Sequence, residues 1–359
     1  MTSPLILQAF RRPDQVITLD LPQWDLLIRQ ARKANLLASL HARLDGLGLL
    51  GHIPVQPRQH LSWANTVANR HGLAVRHEVA LIHEALANCG APIILLKGAA
   101  YVMAQLSCAR GRLFSDIDIL VPKDKLDEVE AALMLHGWAT THHDAYDQRY
   151  YRTWMHELPP MRHIRRMTVI DVHHAIVPET ASIHPDPALL RAAALPIEDE
   201  PGLLTLAPAD MILHSAVHLF HDGELENGLR DLVDLQGLLQ QFSMAPEFWP
   251  RLIERAIQLE LARPLFYALR YLDHMLHAPI PNDAMECLAK AAAPNKTLLA
   301  MMDSFFLRAL LPAHASCSDA LSNFAREMLY IRANWLRMPP LMLARHLFHK
   351  AVISPKTEK

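Results

Sequence analysis

The sequence predicts an α+β protein in which a small α/β unit, at about residues 91–180, is held between two helical regions, residues 1–90 and 205–347. Three observations carry this reading. Apolar residues recur at helical spacing through residues 20–90. Short apolar runs of the kind that form buried strands are confined to the middle of the chain. Gly237 is the last glycine, and the long glycine-free stretch after it suits helices better than hairpins.

In the first region Trp24, Leu26, Leu27, Ala31, Ala34 and Leu37 keep near-helical spacing, and Pro54 and Pro57 interrupt it. A long helix is predicted over residues 59–88, with Gly72 as its weak point. The character changes at Cys89-Gly90-Ala91-Pro92. The run Ile93-Ile94-Leu95-Leu96 reads as a buried strand, although periodicity does not separate so short a run from a buried helical turn. Lys97-Gly98-Ala99-Ala100 then opens a helix that extends to Leu106. A second strand is predicted at Asp116-Ile117-Asp118-Ile119-Leu120-Val121 and ends at Pro122. Asp124 is the expected cap of a helix with Leu126, Val129, Ala132 and Leu133 on one face, and Gly137 is its expected stop. Residues 167–173, rich in β-branched side chains, give a third strand. After Pro208 the pattern is helical to about Leu347, with no internal repeat.

A chain of 359 residues, 51% hydrophobic, can bury a sizeable core and by length allows about two domains. A net charge of −2 gives no electrostatic reason to expect a nucleic-acid partner. The basic run at residues 162–166 reads first as a solvated face. Cys89, Cys108, Cys287 and Cys317 form no CxxC pair and fit a reducing compartment. The N-terminal apolar run is too short for a signal peptide, and no run of about 18 apolar residues occurs. A cytoplasmic protein without stable membrane insertion is expected. The run at residues 335–356 is basic and apolar. It reads as helix packing followed by a frayed tail, with a membrane-surface helix as the other reading.

The chemistry is carried by carboxylates. Side chains alternate along a strand, so Asp116 and Asp118 share one face, roughly 7 Å apart at Cα, while Ile117, Ile119 and Val121 take the other. Two carboxylates so placed can share divalent ions. Mg²⁺ (or Mn²⁺) suits oxygen ligands completed by substrate phosphates, and two such ions can clamp both oxygens of a phosphoryl displacement. A third carboxylate is then wanted on a neighbouring strand, and Asp171 in Val169-Ile170-Asp171-Val172-His173 is the candidate. Its expected role is to bind the metal that activates an acceptor hydroxyl, or to take that proton. Small residues at Lys97-Gly98-Ala99 would let phosphate oxygens reach backbone N–H groups, with Lys97 adding charge; a plain strand-to-helix turn is the alternative. The turn is not a Walker A loop. Arg112, four residues before Asp116, is expected to bind phosphate or to pair with the carboxylates, unless it is a solvated loop residue.

The segments LLKGAAYVMAQ, RGRLFSDIDILV and VIDVHH together resemble the uncharacterised nucleotidyltransferase family of the DNA-polymerase-β superfamily. The likeness extends outward to Trp24, His218 and Arg230-Asp231-Leu232-Val233-Asp234-Leu235, over about residues 20–345. It implies a short mixed sheet with helices, three carboxylates holding two Mg²⁺ ions, and transfer of a nucleotide from an NTP, with ATP the expected donor, to an acceptor it does not name. On this reading Asp116, Asp118 and Asp171 are catalytic and metal-binding. Lys97, Gly98, Ala99, Arg112 and Ser115 hold the nucleotide, and His173, His218 and Arg230 face the substrate. The sequence departs from the wider superfamily at the phosphate turn, where Lys97-Gly98-Ala99 replaces the usual Gly-Ser or Gly-Gly.

Two other readings remain. A non-catalytic nucleotide-binding protein on the same fold is opposed by the intact carboxylate set. A metal phosphohydrolase of the HD type would need His214, His221-Asp222 and Asp234 to converge. Arg230, Asp231 and Asp234 read first as a polar helix face with a local ion pair, with a substrate role as the other reading.

Overall fold

The computed structural model describes residues 3–141, 145–223 and 225–339, and the end of the basic C-terminal run, from residue 340, lies outside them. The first helical region comprises α1 (Leu5–Arg11), α2 (Leu21–Lys33), α3 (Leu37–Gly46) and α4 (Val55–Leu86). The start of α2 is fixed by a capping box in which Asp20 accepts from the Gln23 amide and the Gln23 side chain accepts from the Asp20 amide. Helix α4 runs unbroken through Gly72. It starts earlier than residue 59 because Pro57 falls in the first turn, where a missing N–H is tolerated.

The middle of the chain forms β1 (Ile93–Leu95), α5 (Lys97–Met103), β2 (Ile117–Leu120), α6 (Leu126–Leu135), β3 (Trp138–Thr140), α7 (Ala145–Trp154), β4 (Met161–His163), β5 (Val169–His173), α8 (Pro187–Ala192), β6 (Leu195–Pro196) and β7 (Leu203–Thr205). The seven strands make one mixed sheet in the order β3-β4-β5-β2-β1-β7-β6. Strand β2 runs antiparallel to β1 and parallel to β5, and β7 runs parallel to β1. The sheet therefore draws two strands from residues 195–205, beyond the stretch read as the α/β unit. Two- and three-residue strands carry no readable alternation. Asp124 does not cap α6: it lies in a 3₁₀ turn before the helix, and no side chain bonds the helix start. Gly137 does end the segment, with φ +96°.

The third region comprises α9 (Pro208–Phe220), α10 (Gly228–Phe242), α11 (Phe248–Gln258), α12 (Ala262–Leu276), α13 (Asn282–Ala292), α14 (Lys296–Ala309) and α15 (Ser322–Arg337). Helix α9 is buried almost all round, so it packs on several elements at once and carries its few polar residues into the interior. A single apolar core runs from Ile6 through the sheet to Leu329, joining all three regions. Among the described residues, no helix is long and apolar enough to cross a membrane.

Candidate active site

The register of β2 on β5 decides the site. Asp118 lies directly beside Asp171, and Asp116 precedes the first residue of β2 rather than lying within it. Carboxylate oxygens of Asp116, Asp118 and Asp171 all lie within 4.8 Å of one another. Asp116 is exposed, Asp171 half-buried and Asp118 buried. Such crowding is costly without a cation. Burial first, then the charges of Asp118 and Glu157, push Asp171 up to about 8. Its Oδ1 is buried and has no hydrogen-bond partner among the described residues. Asp118 is held well below the usual carboxylate range: its burial acts in the other direction, but Lys97 and His173 outweigh it. An orphaned oxygen within a trio of carboxylates is the donor set that a hard divalent cation such as Mg²⁺ takes, so the residues present fit that ion.

Lys97 reaches this trio through an unusual turn. It is the first residue of α5 yet has φ +42°, in the left-handed region that a long side chain rarely adopts. The Leu96 amide donates to the Asp118 carbonyl at 3.0 Å, which fixes the turn against β2. The Lys97 ammonium donates to Nδ1 of His218 at 3.0 Å, so His218 is neutral with its proton on Nε2. Burial, with Lys97 adding to it, keeps His218 well below the ordinary imidazole range. Burial alone would lower Lys97, but Asp118, Asp222 and Asp116 outweigh it and hold the ammonium charged.

Except for Asp171, which lies beside Asp118 on β5, these groups line one polar cavity. Lys97, Gly98, Arg112, Ser115, Asp116, Asp118, His218 and Arg230 all face it. Ser115 donates to Asp116 Oδ1 at 2.8 Å. Ala99 is buried and does not line the cavity, and neither does His173. His173 lies instead between two carboxylates, Nε2 donating to Asp118 Oδ1 at 3.3 Å and Nδ1 standing 3.3 Å from Glu157 Oε2. Arg112 is neither a solvated loop residue nor a partner of Asp116 and Asp118. Its Nε donates to Asp234 Oδ2 at 2.6 Å in a buried ion pair, and its guanidinium lies over the rings of Tyr101 and Phe114. The outer wall is built by α10, where Arg230 pairs with Asp231 at 2.7 Å.

Several lining residues had no sequence signal of their own. Tyr101 donates to Ser215, whose hydroxyl in turn donates to the Met211 carbonyl, and Asn227 accepts from Asn35 of the first helical region. Glu157 and His156 lie in an irregular stretch ahead of β4 and reach the site only because Glu157 bridges to His173 beside β5. The hydrolase set does not assemble. Among the described residues the only His, Cys, Asp and Glu groups close enough to hold a metal are the three aspartates and His156, Glu157 and His173. His221 is paired with its neighbour Asp222, and Asp234 is taken by Arg112.

The fold and the carboxylate geometry agree with a comparison of the sequence against known families. No curated protein matches the chain. The model of a family described as uncharacterised nucleotidyltransferase matches residues 20–277, which takes in the long helix α4, the whole sheet and the helices that wall the cavity. The chain belongs to this uncharacterised nucleotidyltransferase family.

Proposed function

We propose that this chain transfers the nucleotidyl group of an NTP, with ATP the expected donor, to a hydroxyl acceptor. The observation that supports this most is the gathering of Asp116, Asp118 and Asp171 where β2 lies beside β5, with Asp116 and Asp118 facing the cavity that Lys97 also lines. Mg²⁺ (or Mn²⁺) held by the three aspartates would supply charge neutralisation at the phosphates and lower the pKa of the acceptor hydroxyl.

The chain's own residues then have distinct tasks. The Lys97 ammonium offers a fixed positive charge to the phosphates, and the neutral His218 that accepts from it holds its direction. Gly98 lines the cavity and leaves room for the Arg112 guanidinium and the Phe114 ring against the helix start. Ser115 holds Asp116 in place. The acceptor oxygen attacks the α-phosphorus as the bond from that phosphorus to the bridging oxygen breaks. The electron pair leaves with pyrophosphate, and Asp171, whose buried oxygen lacks a partner, takes the hydroxyl proton. Helix α10, with Arg230 and Asp231, forms the wall against which the acceptor would rest. A buried Arg112–Asp234 pair fixes that wall to the loop ahead of β2, which packs against Gly98, so Arg112 serves as a positioning residue in this reading.

The test is a thermal-shift titration of each NTP with Mg²⁺, on wild type and on the Asp116→Asn/Asp118→Asn double variant. A ligand that binds only the native state raises the midpoint by mass action. A metal-dependent rise in wild type that disappears in the double variant is expected. An equal rise in both proteins would overturn the assignment of these carboxylates.

A further inference from the structure

We propose that His156, Glu157 and His173 form a second metal site, built for a divalent transition metal of the Zn²⁺ class and separate from the aspartate trio. One ligand atom from each residue lies within 4.8 Å of the others. The ligand set is two imidazoles and one carboxylate, which selects Zn²⁺, Co²⁺ or Ni²⁺ over Mg²⁺, since Mg²⁺ prefers oxygen and keeps its waters.

Two features point to a ligand rather than to a satisfied polar cluster. His173 is 5% exposed, and its Nδ1 is buried without a hydrogen-bond partner among the described residues; the nearby Glu157 oxygen is within charge-pairing distance but is not aligned to accept. Nδ1 of His156 is also buried and without a partner. Two buried, unpartnered nitrogens on neighbouring imidazoles are uncommon in folded proteins unless something takes their lone pairs. The tautomer of His173 fits as well. Its Nε2–H is committed to Asp118, which leaves Nδ1 free to ligate. This is the carboxylate–imidazole–metal arrangement by which outer groups orient a ligating histidine.

The cross-strand pairing explains why the residues meet. Glu157 bridges to His173, the Leu158 amide donates to the Val172 carbonyl at 2.9 Å, and the rings of His156 and His173 lie 5.3 Å apart. A metal here would fasten the 155–158 stretch to β5. Through His173 it would also fix the orientation of Asp118, so the two sites share one hydrogen bond.

Metal binding itself tests this, independently of nucleotidyl transfer. The full chain, stripped of metal by chelation and dialysis, is titrated with Co²⁺ and followed by visible absorption, and Zn²⁺ affinity is measured by competition with a chromophoric chelator. Wild type and the Asp116→Asn/Asp171→Asn variant should both bind one Co²⁺ with a nitrogen–oxygen ligand-field spectrum. His156→Ala should weaken that binding at least about tenfold. His156→Asp keeps a ligand in place and should retain the ion with a shifted spectrum, which covers the case in which the alanine variant fails to fold. The site is refuted by an unchanged spectrum and affinity in both His156 variants, or by Co²⁺ binding that disappears with the aspartate trio alone.

Discussion

Two sets of aspartates meet at one cavity, Asp231 and Asp234 on one side and Asp116 and Asp118, backed by Asp171, on the other, and they have opposite fates. On α10, Asp231 and Asp234 are each matched by an arginine, Arg230 and Arg112. At β2 and β5, Asp116 (just ahead of β2), Asp118 and Asp171 crowd together; among the described residues no arginine pairs with them, one of their oxygens has no partner, and the only ammonium facing the cavity is that of Lys97. The difference separates structure from chemistry. Carboxylates neutralised by guanidinium groups hold one element to another, and carboxylates left in mutual repulsion suit the cation of the proposed function. Identical residue types are thus assigned to different work by their partners.

The comparison breaks most visibly at Arg112. Removing one partner of a buried pair leaves the other charge uncompensated, at a cost of about 3–5 kcal/mol. Arg112→Ala should lower the unfolding free energy by that amount in urea denaturation. Replacing both partners by apolar residues, Arg112→Leu/Asp234→Leu, should recover much of the loss. If the double variant is as unstable as the single one, Asp234 is not the residue that Arg112 serves. The carboxylates of the other set should behave in the reverse way. Asp116→Asn should leave the folding midpoint unchanged or slightly raised, because it relieves repulsion. It should also cut nucleotidyl transfer by about 10²–10³-fold, the scale of a single preorganised electrostatic group. A turnover assay with radiolabelled NTP measures the second effect, and a loss matched by unfolding would contradict it.

The pH dependence of stability sharpens the same contrast. With its carboxyl pushed up to about 8, Asp171 binds a proton in the folded state at pH values where the unfolded chain has lost it. The unfolded state then binds fewer protons, so stability falls as pH rises. The penalty is absent below about pH 4 and accumulates up to about pH 8. Metal-free wild type should therefore lose melting temperature across this window more steeply than Asp171→Asn, and added Mg²⁺ should flatten the wild-type curve. Parallel curves for the two proteins would mean that Asp171 is not crowded in solution.

The sequence carried the aspartate trio and not the ion pairs, for a physical reason. Asp116, Asp118 and Asp171 alternate with Ile117, Ile119, Ile170 and Val172, and a two-residue period reports which side chains share a face. Strands β1, β2 and β5 were legible through the same apolar runs, and α4 through its length and spacing. Nothing local marks Arg112 as the partner of a residue 122 positions later, or brings Glu157 to His173. Those contacts are made by packing. Strands β3, β4, β6 and β7, of two or three residues each, are too short to show a period, and the sheet recruits them only because β1 and β5 offer open edges. Lys97 lies between these cases. Its position before a small-residue turn was readable, but its left-handed backbone and its bond to His218 were not.

Gly98 joins the two sets, and its substitution gives the smallest of these effects. A Cβ at this position would stand 2.3 Å from Arg112 Nη1 and 2.7 Å from Phe114 Cδ1. Gly98 is helical and has no positive φ, so the backbone itself accepts alanine, and the cost comes from side chains that must move. Overpacking of this kind costs about 1–3 kcal/mol. Because Arg112 is pinned by Asp234, its guanidinium cannot yield without straining that pair, so Gly98→Ala should cost less in an Arg112→Ala background than in wild type. A double-mutant cycle on unfolding free energies reads this coupling directly. Additive losses would instead place the clash on Phe114 or on the turn, and would remove Gly98 as the link between the ion-paired wall and the carboxylate side of the cavity.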